Sequence, residues 1–281
     1  MSEGFVKERV GRTFSWNGAL YLERRESVDR AWLLHALETP GEELKRSNRS
    51  VTRRVENTVI KQSAPGSWKE AVKLTVQPGR RLRAWNAARR LRAHGVGAPQ
   101  PLAYVERSLW GARVGNAVVL SYLAGCRDVE AYAWELLARN AHPSEIHGFF
   151  AGLADAVNAL GRAGAFHQDL AGKNIYTADG EHFFFIDLDA IILDAPYTRE
   201  RRLKNHVQLY DSFCDWYDNT FLEPFIRRMC PEDWPAADWL PLIAREQQVR
   251  RTRHENIVQR NASRNRPPIA GQDGRRPDGG L

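Results

Sequence analysis

The chain reads as α+β in two unequal parts, a small β-rich N-lobe followed by a helical C-lobe. Three observations predict this division. Strand-like runs separated by turn residues fill roughly the first 120 residues, with one basic helical stretch between them. From Glu130 the apolar spacing changes to threes and fours, the signature of helices with one buried face. Between the later helices sits a polar loop, Ala165 to Tyr176, "AFHQDLAGKNIY", which sets a His, an Asp and an Asn at fixed offsets. A length of 281 residues suits one two-lobed domain or two small ones.

In chain order, "ESVDRAWLLHALETPG" from Glu26 predicts a short helix stopped at Pro40-Gly41. "RSVTRRVENTVIKQ" from Arg49 predicts two strands turning at Glu56-Asn57. A basic helix follows from Arg80 to Ala93, with Gly95 as its stop. "GAPQPLAYVER" and "NAVVLSYLAG" then give a strand each. In "EIHGFFAGLADAVNALGRAG", Ile146, Phe149, Phe150, Leu153, Val157 and Leu160 form a helical stripe that delivers the chain into the polar loop. "HFFFIDLDAIIL" is strand-like but broken by two aspartates, and "ERRLKNHVQLYDSFCDWY" is helical again. Residues 1–120 are therefore expected as the N-lobe and 121–247 as the C-lobe. Residues 248–281 are expected as a basic, disordered tail, because Arg, Asn, Gln, Pro and Gly bury too little apolar surface.

The charge balance of 41 Lys and Arg against 34 Asp and Glu is uneven along the chain. From Arg245 onward there are nine Arg against four acids, and "PGRRLRAWNAARRLRAHG" from Pro78 holds six Arg and no acid. Such stretches are either solvated faces or contacts for a polyanion. Three scattered cysteines lack metal-ligand spacing and fit a reducing compartment. No apolar run reaches the length of a membrane span, and charges near the start oppose an export signal. A cytoplasmic location is expected.

His167-x-Asp169-Leu170-x-x-x-Asn174 has the spacing of a kinase catalytic loop, although a polar turn after a helix would look similar. Asp187 strengthens the reading. A hairpin turning at Asp179-Gly180 returns the chain so that Asn174 and Asp187 face one phosphate tail. Upstream, Lys61 in "TVIKQ" ends a strand-like run. Phosphoryl transfer requires neutralised phosphates and an acceptor hydroxyl held in line. Lys61 is thus expected on the ATP phosphates, Asn174 and Asp187 on magnesium, and Asp169 as the base. The strand "NAVVLSYLAG" leads to a hinge where Ser121, Tyr122 and Leu123 are expected against adenine. His167 is expected to brace the loop.

"GVGAPQPLAYVER", "FHQDLAGKNIY", "FFFIDLDAI" and "RRLKNHVQLYDSF" together resemble the lipopolysaccharide core kinases, from about Leu44 to Phe213. That resemblance implies a bilobal protein-kinase-like fold, ATP and magnesium. Its implied acceptor is a heptose or Kdo hydroxyl of the lipopolysaccharide inner core. It also implies work beside an anionic inner membrane, which the basic tail would contact peripherally; no nucleic-acid partner is expected.

Several features depart from the kinase pattern. There is no glycine-rich loop before Lys61, so the amides of Ser47 to Ser50 are the substitute on offer, with Arg49 beside them. Glu70 is the only acid between Lys61 and Glu106 that could partner the lysine. Asp189 replaces the usual glycine and reads either as a turn former or as a second functional carboxylate. Lys173 reads either as a phosphoryl contact or as a surface residue. The short segment from Asp187 to Glu200 leaves little room to bind a peptide. Two other readings stay open: a small-molecule phosphotransferase of the antibiotic-kinase type, and a catalytically dead scaffold.

Overall fold

The computed structural model describes residues 12–16, 19–26, 28–47, 50–63, 79–110, 112–230 and 236–264. The N-terminal part is built on a seven-stranded antiparallel sheet ordered β1-β2-β6-β7-β5-β4-β3. Its strands are β1 (Arg12–Trp16), β2 (Ala19–Arg25), β3 (Glu42–Ser47), β4 (Ser50–Val55), β5 (Thr58–Ser63), β6 (Pro101–Leu109) and β7 (Ala112–Ser121). The expected turn at Glu56-Asn57 joins β4 to β5, with Val55 opposite Thr58. The β1–β2 hairpin lies outside the expected set. Its signal is the Asn-Gly pair at 17–18, a strong hairpin dipeptide, between strands that pair Trp16 with Ala19.

Alternation along the strands gives this sheet two different faces. One packs Ile60, Val105, Ala117 and Val119 against Leu33 and Ala36 of α1 (Arg30–Glu38). Asp29 caps α1 by accepting from the Trp32 amide at 2.7 Å. The other face carries Tyr104, Val118 and Leu120 into the main core, under Trp85, Ala88 and Leu91 of α2 (Arg80–Ala93). Lys61 lies opposite Val118 in the β5–β7 register, and so on this inner face.

The C-lobe follows as α3 (Val129–Ala138), α4 (Pro143–Arg162), α5 (Arg199–Phe213), α6 (Asn219–Met229) and α7 (Ala236–Arg264). The six apolar residues expected along α4 are all buried. Phe150 sits among Phe213, Tyr217 and Phe225, with ring centroids 5.0–5.2 Å away. Short strands carry the polar loop: β8 (Arg127–Asp128), β9 (Ala165–His167), β10 (Ile175–Thr177), β11 (Phe183–Phe185) and β12 (Ile191–Leu193). β10 and β11 pair as the hairpin expected at Asp179-Gly180, where Gly180 takes a positive φ of 78°.

The expectation of disorder from residue 248 meets a helix, α7, as far as Arg264, and its remainder, residues 265–281, lies outside the described residues. Composition averaged over the tail hides what anchors the helix: Trp239 and Ile243 are buried in the main core. Two turns further on, Arg250 bonds Asp211 at 2.8 Å, and Arg251 bonds Asp211 at 2.7 Å and Asp215 at 2.9 Å. A helix fixed at one end extends cheaply, because nucleation is its costly step. Among the described residues, no helix is long and apolar enough to cross a membrane.

Candidate active site

The polar loop hangs from one face of α5. Asn205, Gln208 and Ser212 fall three and four residues apart, so they project together toward the loop. Asn205 Nδ2 donates to the His167 carbonyl at 2.8 Å. Gln208 Oε1 accepts from the Leu170 amide at 3.1 Å, while its Nε2 reaches Asp169 Oδ1 at 3.4 Å. Ser212 Oγ accepts from the Gly172 amide at 2.9 Å. From the other side, Glu130 of α3 accepts from the Lys173 amide at 3.1 Å. Four side chains thus satisfy loop backbone groups that no strand or helix would.

His167 is fully buried, and both ring nitrogens are used. Nε2 donates to the Ile186 carbonyl at 2.9 Å, and Nδ1 accepts from the Asp169 amide at 3.2 Å. That pattern requires the neutral ring, and burial pushes its pKa below the ordinary histidine value. The ring ties the segment before Asp187 to the segment before Asp169.

Asn174 Nδ2 donates to the Asp169 carbonyl at 2.8 Å and to its Oδ2 at 3.2 Å. Its Oδ1 is thereby the atom left to face a cation. Asp187 follows directly, because the Ile186 amide bonds the Asn174 carbonyl at 2.9 Å. Asp187 adopts a left-handed backbone, φ 53°, which re-aims its side chain out of the strand direction. Lys61 Nζ lies 3.7 Å from Asp187 Oδ1. The structure therefore brings together Lys61, Asp169, Asn174 and Asp187.

An amide oxygen and a half-exposed carboxylate suit a hard cation such as magnesium. Among the described residues no group of three or more His, Cys, Asp or Glu forms a metal cage. Magnesium held by one or two protein ligands, with phosphates and water completing the shell, needs no such cage.

At the hinge, the Ser121 amide bonds Gln100 O at 2.8 Å and the Tyr122 amide bonds Asn57 O at 2.7 Å. The Tyr122 ring lies 4.0 Å beneath the Arg54 guanidinium. Of the three hinge residues, Leu123 is the one whose N–H has no partner among the described residues.

The kinase pattern would put a helix acid near Lys61, and α2, as its sequence shows, has none; it presents a cation instead. Arg81 of α2 is buried, donates to Ser63 Oγ at 3.2 Å and lies 3.6 Å from Asp189 Oδ2. Burial lowers its pKa, and Asp189 opposes that shift. Asp189 is thus fixed by an ion pair to α2, and its Oδ1 is buried without a hydrogen-bond partner among the described residues. The signal in sequence is the exchange itself: arginines and no acid occupy the helix where an acid is usual, and an Asp stands where a glycine is usual. Other arginines of α2 have partners of their own, Arg89 on Glu26 and Arg90 on Asp194. Glu70 and Arg49 lie outside the described residues.

The model of the lipopolysaccharide kinase (Kdo/WaaP) family matches residues 41–245. The chain belongs to that family. Among solved structures, this lipopolysaccharide kinase resembles one described as WaaP in complex with acyl carrier protein. That match has 21% identity and a TM-score of 0.62, and covers 81% of this chain and 98% of that one. The shared property is the kinase-like fold. A crystal structure of WbdD is more distant, with 18% identity, a TM-score of 0.45, and coverage of 75% of this chain and 46% of that one. No curated protein matches the chain.

Proposed function

We propose that the protein transfers the γ-phosphoryl group of ATP to a hydroxyl of heptose or Kdo in the lipopolysaccharide inner core. The carrying observation is the Asp169 carboxylate, held from two sides by Asn174 and Gln208 in a chain of this family. Asp169 accepts the acceptor proton as the hydroxyl oxygen attacks phosphorus and the bond to the ADP oxygen breaks. Lys61 leaves Asp187 and pairs with the α- and β-phosphates. Asn174 and Asp187 would hold magnesium, which would supply positive charge to neutralise the phosphate tail. Leu123 N–H donates to adenine. Residues 1–120 act as the nucleotide-binding lobe and 121–247 as the catalytic and acceptor-binding lobe. Incubation with labelled ATP and defined inner-core oligosaccharides tests this: label in the sugar is expected, and label in none of the acceptors overturns it.

The basic C-terminal segment serves peripheral contact with an anionic leaflet. Arg250 and Arg251 are occupied by Asp211 and Asp215, so the contact falls to the arginines from Arg253 onward. Each basic residue near such a surface contributes about 1 kcal/mol, weakened by salt. Removing residues 253–281 should reduce co-sedimentation with anionic vesicles at low salt. Equal binding with and without the segment would exclude the contact.

A further inference from the structure

Two large aromatic side chains stand exposed beside the catalytic loop with no assigned task. Trp134 of α3 is 56% exposed and Trp216, just past α5, is 42% exposed. Their rings meet edge-on, with centroids 5.7 Å apart and planes at 63°. Scattered exposed apolar residues are ordinary, but a contiguous exposed pair points to a binding surface.

Its position is fixed by the loop contacts already described. Trp134 lies four residues beyond Glu130, which accepts from the Lys173 amide. Trp216 lies four residues beyond Ser212, which accepts from the Gly172 amide. Trp134 is thus one helical turn, about 6 Å of rise, from a residue that grips the loop carrying Asp169 and Asn174. Trp216 sits in the turn that ends α5, its amide bonded to the Phe213 carbonyl at 3.0 Å, next to the helical turn that holds Ser212. The loop packs tightly against α3 there: a Cβ on Gly172 would stand 2.5 Å from Glu130 Cγ. The indoles are also held relative to one another, because the Tyr217 hydroxyl donates to the Ala133 carbonyl at 2.7 Å. Those two residues adjoin Trp216 and Trp134.

We infer that Trp134 and Trp216 form a stacking platform for a sugar ring of the acceptor oligosaccharide, next to the ring that receives the phosphoryl group. This inference rests on the sugar-kinase reading above. The C–H face of a pyranose is apolar and suits the electron-rich face of an indole, while its hydroxyl edge needs hydrogen-bond acceptors. The rim supplies one in Asp215, whose side chain is 61% exposed and whose charge Arg251 balances. An anionic membrane is a poor occupant, because the acids beside the pair are already matched, Asp215 by Arg251 at 2.9 Å and Glu135 by Arg127 at 2.6 Å, and the rim offers no excess positive charge to hold it. A second copy of the chain is also a poor occupant. Two indoles bury at most about 250 Å² each, well below the roughly 800 Å² per partner of a stable interface.

The test has a binding arm and a kinetic arm, which fail separately. In the binding arm, indole N–H resonances of the full chain are assigned from W134F and W216F. They are then followed during titration with a defined inner-core oligosaccharide of two or more sugars. Both signals are expected to shift with the oligosaccharide and to stay in place with the monosaccharide acceptor. Unmoved signals at the highest oligosaccharide concentration, or shifts with anionic vesicles instead, overturn the platform. In the kinetic arm, W134A/W216A should raise KM for the oligosaccharide about tenfold, the equivalent of about 1.4 kcal/mol. Neither kcat nor KM for ATP should change, and W134F/W216F should recover most of the loss. A fall in kcat accompanied by a lower Tm marks a structural role and overturns the platform. If wild type binds the oligosaccharide through these indoles but does not phosphorylate it, the reaction assignment fails and the platform stands.

Discussion

At the scale of single residues, the two aspartates have separable tasks. Asp169 has both carboxylate oxygens in hydrogen bonds from neutral amides. Asp187 instead contacts Lys61 directly. Asp169→Asn should lower turnover by about 10²–10⁴, the usual contribution of a positioned general base, and leave nucleotide affinity nearly unchanged. Single-turnover rates beside nucleotide titrations measure this, and near wild-type turnover would remove Asp169 from the role of base. Asp187→Ala should abolish the magnesium-dependent part of the thermal stabilisation by ATP, because a phosphate tail without its metal binds poorly. A preserved magnesium-dependent shift would transfer the metal to another carboxylate. Asp189 is the nearest candidate, since Arg81 holds one of its oxygens and the other has no hydrogen-bond partner among the described residues.

At the scale of elements, α5 acts as a spine. One face holds the catalytic loop through Asn205, Gln208 and Ser212, and Asp211 with Asp215 grips α7. Deleting residues 250–281 should therefore destabilise the protein even if vesicle binding is ignored. Exposed ion pairs contribute about 0.2–1 kcal/mol each, so a loss of about 1–2 kcal/mol is expected for this network. That corresponds to a Tm lower by about 2–8 °C, and D211N/D215N in the full chain should reproduce much of it. An unchanged Tm in both would make the end of α7 an inert extension. Legibility in the sequence follows the range of the interactions. The stripe of α4 and the offsets among Asp169, Asn174 and Asp187 are local, and they read directly. Lys61 reads through its strand. Arg81 does not, because its partner Asp189 is 108 positions away in the chain and the pair reverses the usual charges. α7 is obscured by averaging, since Trp239 and Ile243 anchor a helix whose later composition is that of a solvated tail.

At the scale of the whole molecule, the C-lobe core closes around one polar group that should govern its behaviour in acid. His206 of α5 is fully buried, and its Nδ1 accepts from the Trp239 indole N–H of α7 at 2.8 Å. The bond joins the spine to the last helix and requires an unprotonated Nδ1. Burial, reinforced by nearby Arg202, pushes the His206 pKa down to about 3 from an ordinary value of 6.5. The unfolded chain therefore takes up a proton on this residue below pH 6.5, and the folded protein resists doing so until about pH 3. The unfolded state binds more protons across that window, so stability falls as pH falls through it. The slope approaches about 1.4 kcal/mol per pH unit for this one group. His206→Asn keeps a side-chain acceptor for the indole but cannot titrate. It should cost stability at pH 7, where its smaller side chain leaves the site underfilled. Between pH 6.5 and 4.5 its Tm should decline less steeply than that of the wild type. Parallel Tm curves for the two proteins would show that His206 is not the group that loses its place in acid, and attention would move to His167, the other buried neutral histidine.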